Sequence, residues 1–247
     1  MKMISVFTTK EKTYSLKVDK YVCNKFGLAE VFAEQFDNIY HEFPSNILDV
    51  GCGVGPLSIF LADKFHCQVT ATDINAIACK LCASNAEKYM LRSIFSIVQV
   101  DFRCFSELSG GKKYDLIVSA PPVDDNISEN TISLYARNDF SSLDDKSFSF
   151  LTNSWHDEKG KDLSDYIFNF ANNNLSENGS IIIVFCDIDC NSTEYIVNKA
   201  VSCGFQLDNS ATDYISPEKL GVEDFVKRNI CVHLLMFKKE KTDGYQS

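Results

Sequence analysis

The side chains and spacings with the clearest chemical capacity are three glycines and two carboxylates near the first third of the chain. Gly51, Gly53 and Gly55 form a Gly-x-Gly-x-Gly loop inside the run Asn46-Ile47-Leu48-Asp49-Val50-Gly51-Cys52-Gly53-Val54-Gly55-Pro56. Glycines give the positive φ and the close backbone approach that a ligand-cradling turn requires. Pro56 suits a first helical position, where its missing N–H is not needed. The dinucleotide fingerprint is Gly-x-Gly-x-x-Gly, with its third glycine where Pro56 stands, so the loop alone leaves the cofactor open. Asp73 follows about twenty residues later at the end of a second apolar run, where a carboxylate accepts both hydroxyls of a ribose. A nucleoside with a free 2′-hydroxyl is the implied ligand.

Positioning these groups takes a sheet. Short apolar runs predict strands over 46–50, 68–72, 95–100 and 114–119, the third ending at Asp101 and the fourth running into Ala120-Pro121-Pro122. Helical patterns cover 27–41, 76–91, 164–175 and 192–203, and two further strands are expected over 205–215 and 229–237. This alternation predicts an α/β fold, a largely parallel sheet with helices on both faces. With 247 residues, 45% of them hydrophobic, and no Pro/Gly-rich linker, one domain is expected. Residues 1–45 are read as a helical, substrate-side extension of it.

At this point the chain resembles the class I S-adenosylmethionine-dependent methyltransferases. The resemblance rests on Leu48-Asp49-Val50-Gly51-Cys52-Gly53-Val54-Gly55, Thr72-Asp73-Ile74-Asn75, Gln99-Val100-Asp101-Phe102, Tyr114-Asp115-Leu116-Ile117-Val118-Ser119-Ala120-Pro121-Pro122 and Leu175-Ser176-Glu177-Asn178-Gly179-Ser180-Ile181-Ile182-Ile183-Val184. It covers roughly 28–205 and implies a seven-stranded Rossmann-like sheet whose final strand inserts antiparallel. It also implies S-adenosylmethionine as cofactor. Its methionine portion would lie on the loop of Gly51, Cys52, Gly53 and Gly55, with Asp49 orienting that loop or meeting the cofactor's ammonium. Asp73 with Ile74 would hold the ribose side, Asp101 and Phe102 the adenine edge and face, and Ser119 would close the pocket.

The acceptor side departs from the pattern. A subfamily that methylates planar amino or amide nitrogens carries Asn/Asp/Ser-Pro-Pro-Tyr/Phe where this chain has Ala120-Pro121-Pro122-Val123. Ala120 has no side-chain acceptor and Val123 no ring, so the backbone carbonyl of Ser119 or Ala120 is left to take a hydrogen bond from the substrate. Residues 123–160 show no clean period and are rich in Ser, Asn and Asp, and a loop that long in a compact domain is usually functional. It is read as a lid over the acceptor. The segment Ser154-Trp155-His156-Asp157-Glu158-Lys159-Gly160 is similar to one in protein-glutamine and small-domain RNA methyltransferases, and there His156 is a candidate base. The catalytic candidates are therefore Ser119, Ala120, Pro121, Pro122 and His156.

Charge and the remaining side chains narrow the partners. A net charge of −10 offers little attraction to phosphate, which disfavours a nucleic acid, although Lys10, Lys12, Lys17, Lys20 and Lys25 could assemble a local basic face. Ten scattered cysteines suit reduced, small apolar residues in a cytoplasmic protein. Cys79-x-x-Cys82 lies in a helical pattern and is read as core, and His41, His66, His156 and His233 are dispersed, so no metal site is expected. No apolar stretch suits a membrane span or a signal peptide. The sequence does not specify an oligomeric state. The expected activity is methyl transfer, to nitrogen before oxygen, on a small molecule, peptide or protein; the alternatives are an RNA or DNA adenine N-methyltransferase and a non-catalytic methyltransferase-like subunit.

Overall fold

The structure, a computed structural model, describes residues 3–19, 22, 25–120, 161–187, 192–220 and 227–240. Nine strands are present among them: β1 (Met3–Thr8), β2 (Thr13–Val18), β3 (Asn46–Val50), β4 (Gln68–Asp73), β5 (Phe95–Gln99), β6 (Tyr114–Ser119), β7 (Leu175–Asp187), β8 (Phe205–Ile215) and β9 (Ile230–Lys239). Six helices accompany them: α1 (Gly27–Ile39), α2 (Pro56–Phe65), α3 (Ala76–Lys88), the single turn α4 (Phe105–Leu108), α5 (Leu163–Asn174) and α6 (Ser192–Ser202). The lid expected over 123–160 and the catalytic candidates Pro121, Pro122 and His156 lie outside the described residues.

Seven strands form one sheet in the order β5-β4-β3-β6-β7-β9-β8. β9 runs antiparallel to β7 and β8, and the other pairs are parallel, as the resemblance implied. Buried on both faces, the central strands read as continuous apolar runs. Ile47, Leu116, Val118, Ile182 and Val184 point to the side covered by α1, α2 and α3. Leu48, Val50, Ile117, Ile181 and Ile183 point to the side covered by α4, α5 and α6. The chain winds outward from β3 to β5 and then returns to β6 on the other flank of β3. The carboxyl ends of β3 and β6 thus bound a crevice at the point where strand order reverses, where open α/β sheets bind ligands.

The expected helical extension before β3 is corrected. Among the described residues there only α1 is helical, and β1 and β2 pair as an antiparallel hairpin from Met3↔Val18 to Thr8↔Thr13. Tyr14, Leu16 and Val18 are buried while Thr13, Ser15 and Lys17 are not, which is a strand period of two. The buried side rests on the α1–α3 side of the core, with Phe7 stacked on Tyr14 and edge-on to Phe26.

Candidate active site

The loop after β3 is built by backbone bonds to the neighbouring strand. The N–H groups of Gly51 and Cys52 both donate to the Thr72 carbonyl, at 2.8 and 2.9 Å, and the Gly55 N–H donates to Cys52 at 2.9 Å. Pro56 opens α2 at its first turn, as its position in the sequence predicts. The three glycines all have positive φ, +76° at Gly51, +54° at Gly53 and +91° at Gly55, but they do not do the same work. A Cβ added at Gly51 or Gly53 would meet nothing within 4 Å, whereas one at Gly55 would come within 2.7 Å of the Cys82 Sγ. Gly51 and Gly53 line an open cradle; Gly55 lets α2 close on α3.

Asp73 ends β4 beside this cradle. Its Oδ2 accepts from the Gly53 N–H and its Oδ1 from the Asn75 N–H, both at 2.8 Å. Burial raises its pKa, opposed by the backbone N–H groups of Asn75, Gly53 and Ile74. Asn75 caps α3 through its side-chain oxygen, and Ile74 is half-buried beside it. The sequence places Asp73 and Gly53 in one site, and the structure joins them directly.

Asp49 is 1% exposed and turns toward α2, not toward the loop's N–H groups. Its Oδ2 accepts a short hydrogen bond from the Ser58 hydroxyl. Burial pushes its pKa up to about 7, against the Ser58 hydrogen bonds that lower it. The Cys52 side chain also turns inward, packing with Ala71 and Cys82, so only its backbone is part of the loop surface. The neighbouring Cys82 thiol and burial raise the Cys52 pKa, which keeps it a neutral core thiol. Cys79 and Cys82 are both buried on the inner side of α3.

Two expectations on the adenine side change in detail. Asp101 caps a short 3₁₀ turn at 102–104 and is forked by the guanidinium of Arg103, whose Nε lies 2.9 and 2.8 Å from its two oxygens. The carboxylate therefore reaches a ligand only in company with Arg103, a residue sequence reasoning missed. Phe102 is 8% exposed and packs into the core, stacked on Phe105 at 5.4 Å and edge-on to Phe170. The ring packing holds Phe102 in the core. The half-buried Ile74 and Val100 stand at the strand ends instead.

Ser119 ends β6 opposite Val50 and is fully buried. Its hydroxyl donates to the Val50 carbonyl at 2.8 Å, which fastens β6 to β3 and takes the Ser119 side chain out of the crevice. The lysines proposed as a basic face are held on separate partners. Lys10 bonds the Glu34 carbonyl, Lys12 pairs with Asp63, Lys17 reaches Ser84 and Lys25 the Glu218 carbonyl, while Lys20 lies outside the described residues.

Residues 28–137, which contain the glycine loop, Asp73, Asp101 and Ser119, match the family model of the methyltransferase small domain. The matched segment is thus similar to the methyltransferases whose motifs it carries. A tRNA1(Val) (adenine(37)-N6)-methyltransferase of Bacteroides fragilis is 36% identical over 81 residues, 33% of this chain and 34% of that protein. A release factor glutamine methyltransferase of Fusobacterium nucleatum is 38% identical over 95 residues, 38% of this chain and 26% of that protein. The matched stretches thus span about a third or less of the curated relatives. Among solved structures, a methyltransferase candidate of Streptococcus mutans aligns with a TM-score of 0.62 at 12% identity, over 95% of this chain and 55% of that one. An RNA methyltransferase candidate of Pyrococcus horikoshii aligns with a TM-score of 0.55 at 14% identity, over 92% and 90%. These two establish the fold, which is that of the class I methyltransferases expected from the motifs. The expected cofactor, S-adenosylmethionine, goes with this relationship. Among the described residues no helix is long and apolar enough to cross a membrane.

Proposed function

We propose that the protein transfers a methyl group from S-adenosylmethionine to a planar nitrogen of a small molecule, peptide or protein. The observation that carries this reading is the cradle at Gly51 and Gly53, open to at least 4 Å where any Cβ would stand, with the Asp73 carboxylate fixed against it through the Gly53 N–H. The residues present fit the cofactor. Asp73 has lone pairs beyond its two backbone bonds to accept ribose hydroxyls. Ile74 and Val100 flank the adenine position, and Asp101, held by Arg103, meets its edge. The loop from Gly51 to Gly55 takes the methionine portion, with the buried Asp49 carboxyl, hydrogen-bonded to Ser58, in the strand just before it.

The bound cofactor supplies a methyl group already activated on a sulfonium. The chain's own task is to orient the acceptor and exclude water, and proximity of this kind supplies on the order of 7–11 kcal/mol. Carbonyls at Ser119 and Ala120 accept a hydrogen bond from the acceptor nitrogen and turn its lone pair toward the methyl group. Pro121 and Pro122, next in sequence, remain acceptor-side candidates, and His156 is the candidate base.

The test is methyl-labelled S-adenosylmethionine with the purified protein, a peptide and protein fraction, and total tRNA as separate acceptors. Label in the peptide or protein fraction supports the proposal. Label in tRNA, lost steeply with added salt, supports a second reading, adenine N-methylation, which the tRNA1(Val) methyltransferase relative favours. Tight binding of S-adenosylhomocysteine with no transfer to any acceptor would instead mark a non-catalytic subunit.

A further inference from the structure

The N-terminal hairpin is wired into the cofactor loop through one buried amide. Asn85 lies on α3 and is fully buried. Its Oδ1 accepts from the Lys17 N–H at 2.8 Å, and its Nδ2 donates to the Lys17 carbonyl at 3.1 Å. The same Nδ2 donates to the Val54 carbonyl at 3.0 Å. Both donors of the amide and its acceptor are thus in use, and no other side chain of similar size offers that combination.

Val54 sits between Gly53 and Gly55, and Gly53 is held from the opposite side by Asp73 at 2.8 Å. The loop is therefore gripped at two consecutive residues, by Asp73 from β4 and by Asn85 from α3. Beyond Asn85 the grip extends to β2, whose outer edge is satisfied by helix side chains in place of a strand. The Ser15 N–H donates to the Tyr89 hydroxyl at 2.7 Å, and the Ser15 carbonyl accepts from Lys88 at 2.7 Å. Lys17 reaches Ser84 at 2.5 Å. β2 is fastened along its length to the helix that holds the loop.

We propose that Asn85 is a positioning residue for cofactor binding, through which the hairpin formed by β1 and β2 sets the loop at Val54 against the methionine portion of the cofactor. The inference rests on the methyltransferase reading of the loop. It makes the hairpin part of the binding machinery and not a peripheral cover. It also separates the two halves of the ligand: the nucleoside is held by Asp73, the methionine portion by a loop whose shape depends on Asn85.

The experiment is calorimetric titration of the full chain with S-adenosylhomocysteine and, separately, with adenosine. Asn85→Asp keeps the acceptor for the Lys17 N–H but puts a carboxylate against the carbonyls of Lys17 and Val54. The expected result is a Kd for S-adenosylhomocysteine raised at least about tenfold, with the adenosine Kd changed less than about twofold. An unchanged Kd for S-adenosylhomocysteine, or equal losses for both ligands, overturns the proposal. Should the variant fail to fold, hydrogen exchange in the wild type decides. S-adenosylhomocysteine is expected to slow exchange in peptides covering 13–18, and adenosine to leave them unchanged; no protection of the hairpin by S-adenosylhomocysteine overturns the proposal. If the wild type binds neither ligand, the cofactor reading fails, and this inference with it; if it binds both and the variants behave alike, only the role of Asn85 fails.

Discussion

Substituting Gly53 and Gly55 separates what the ligand needs from what the fold needs. At Gly55 the left-handed conformation costs a non-glycine residue about 1–2 kcal/mol. An alanine there also drives its Cβ to 2.7 Å from the Sγ of Cys82, which is fully buried and has no free space to enter. Overpacking of this kind adds about 1–3 kcal/mol, so Gly55→Ala should cost about 2–5 kcal/mol in all. In a chain of this size that lowers Tm by about 4–20 °C. Cys82→Ala removes the obstructing atom and leaves Ile59 Cδ1 at 3.4 Å and the Cys82 Cβ at 3.6 Å, both ordinary contacts. In that background Gly55→Ala should cost only the conformational part, giving a favourable coupling of about 1–3 kcal/mol in a double-mutant cycle. Gly53→Ala, at φ +54° with nothing within 4 Å, should carry only that conformational part, a Tm loss of about 2–8 °C, while losing affinity for S-adenosylhomocysteine. The measurements are thermal unfolding of the four variants and titration of the folded ones. Equal costs for Gly55→Ala with and without Cys82 would refute the packing argument. A Gly53→Ala variant that binds normally would remove the cradle from the site.

Three further perturbations test other links. Asp73→Ala removes an acceptor of charge-assisted hydrogen bonds worth roughly 1.5–3 kcal/mol, so the calorimetric Kd for S-adenosylhomocysteine should rise at least about tenfold, and an unchanged value dismisses Asp73 from the site. Asp49, with its pKa pushed up to about 7 by burial, favours folding while protonated; that contribution is complete below the ordinary value of 3.8 and is lost as pH rises through about 7. Urea unfolding should therefore show wild-type stability falling between about pH 4 and 7 relative to Asp49→Asn, and parallel profiles would contradict it. Met90 holds φ +59° at the end of α3, where the Leu91 N–H bonds the Ala86 carbonyl and the Met90 N–H the Glu87 carbonyl, and its side chain is 90% exposed. Met90→Gly should raise Tm by about 1–4 °C, because glycine takes that conformation freely and no buried surface is lost; a lower Tm would show that Met90 packs against something.

The sheet was legible because each parallel strand carries its information locally. A run such as Asn46–Val50 is apolar throughout because both faces are covered, and it stops at glycines because the chain must turn at the crevice. The hairpin was not legible on the same terms. Its strands are short, and β2 satisfies its outer edge with Asn85, Lys88 and Tyr89, more than sixty positions away in sequence. A strand whose partner is a helix side chain leaves no pairing signal in its own residues.

The same distinction runs through the site. Asp73 could be read because a carboxylate at a strand end beside a glycine loop has few other uses, and the structure ties it to Gly53. Ser58, Asn85 and Arg103 could not, because each looks like an ordinary polar residue until its partner is seen: the Asp49 carboxyl, the Val54 carbonyl and the Asp101 carboxylate. Phe102 shows the converse. Its place after Asp101 suggested a platform for adenine, and the structure packs its ring on Phe105 and Phe170, both with centroids at 5.4 Å. What binds directly can be inferred from residue type and position, and what holds the binding residues in place follows from tertiary contacts. The consequence for this protein is that its cofactor affinity should respond to changes in a hairpin that begins more than thirty residues before the first glycine of the loop.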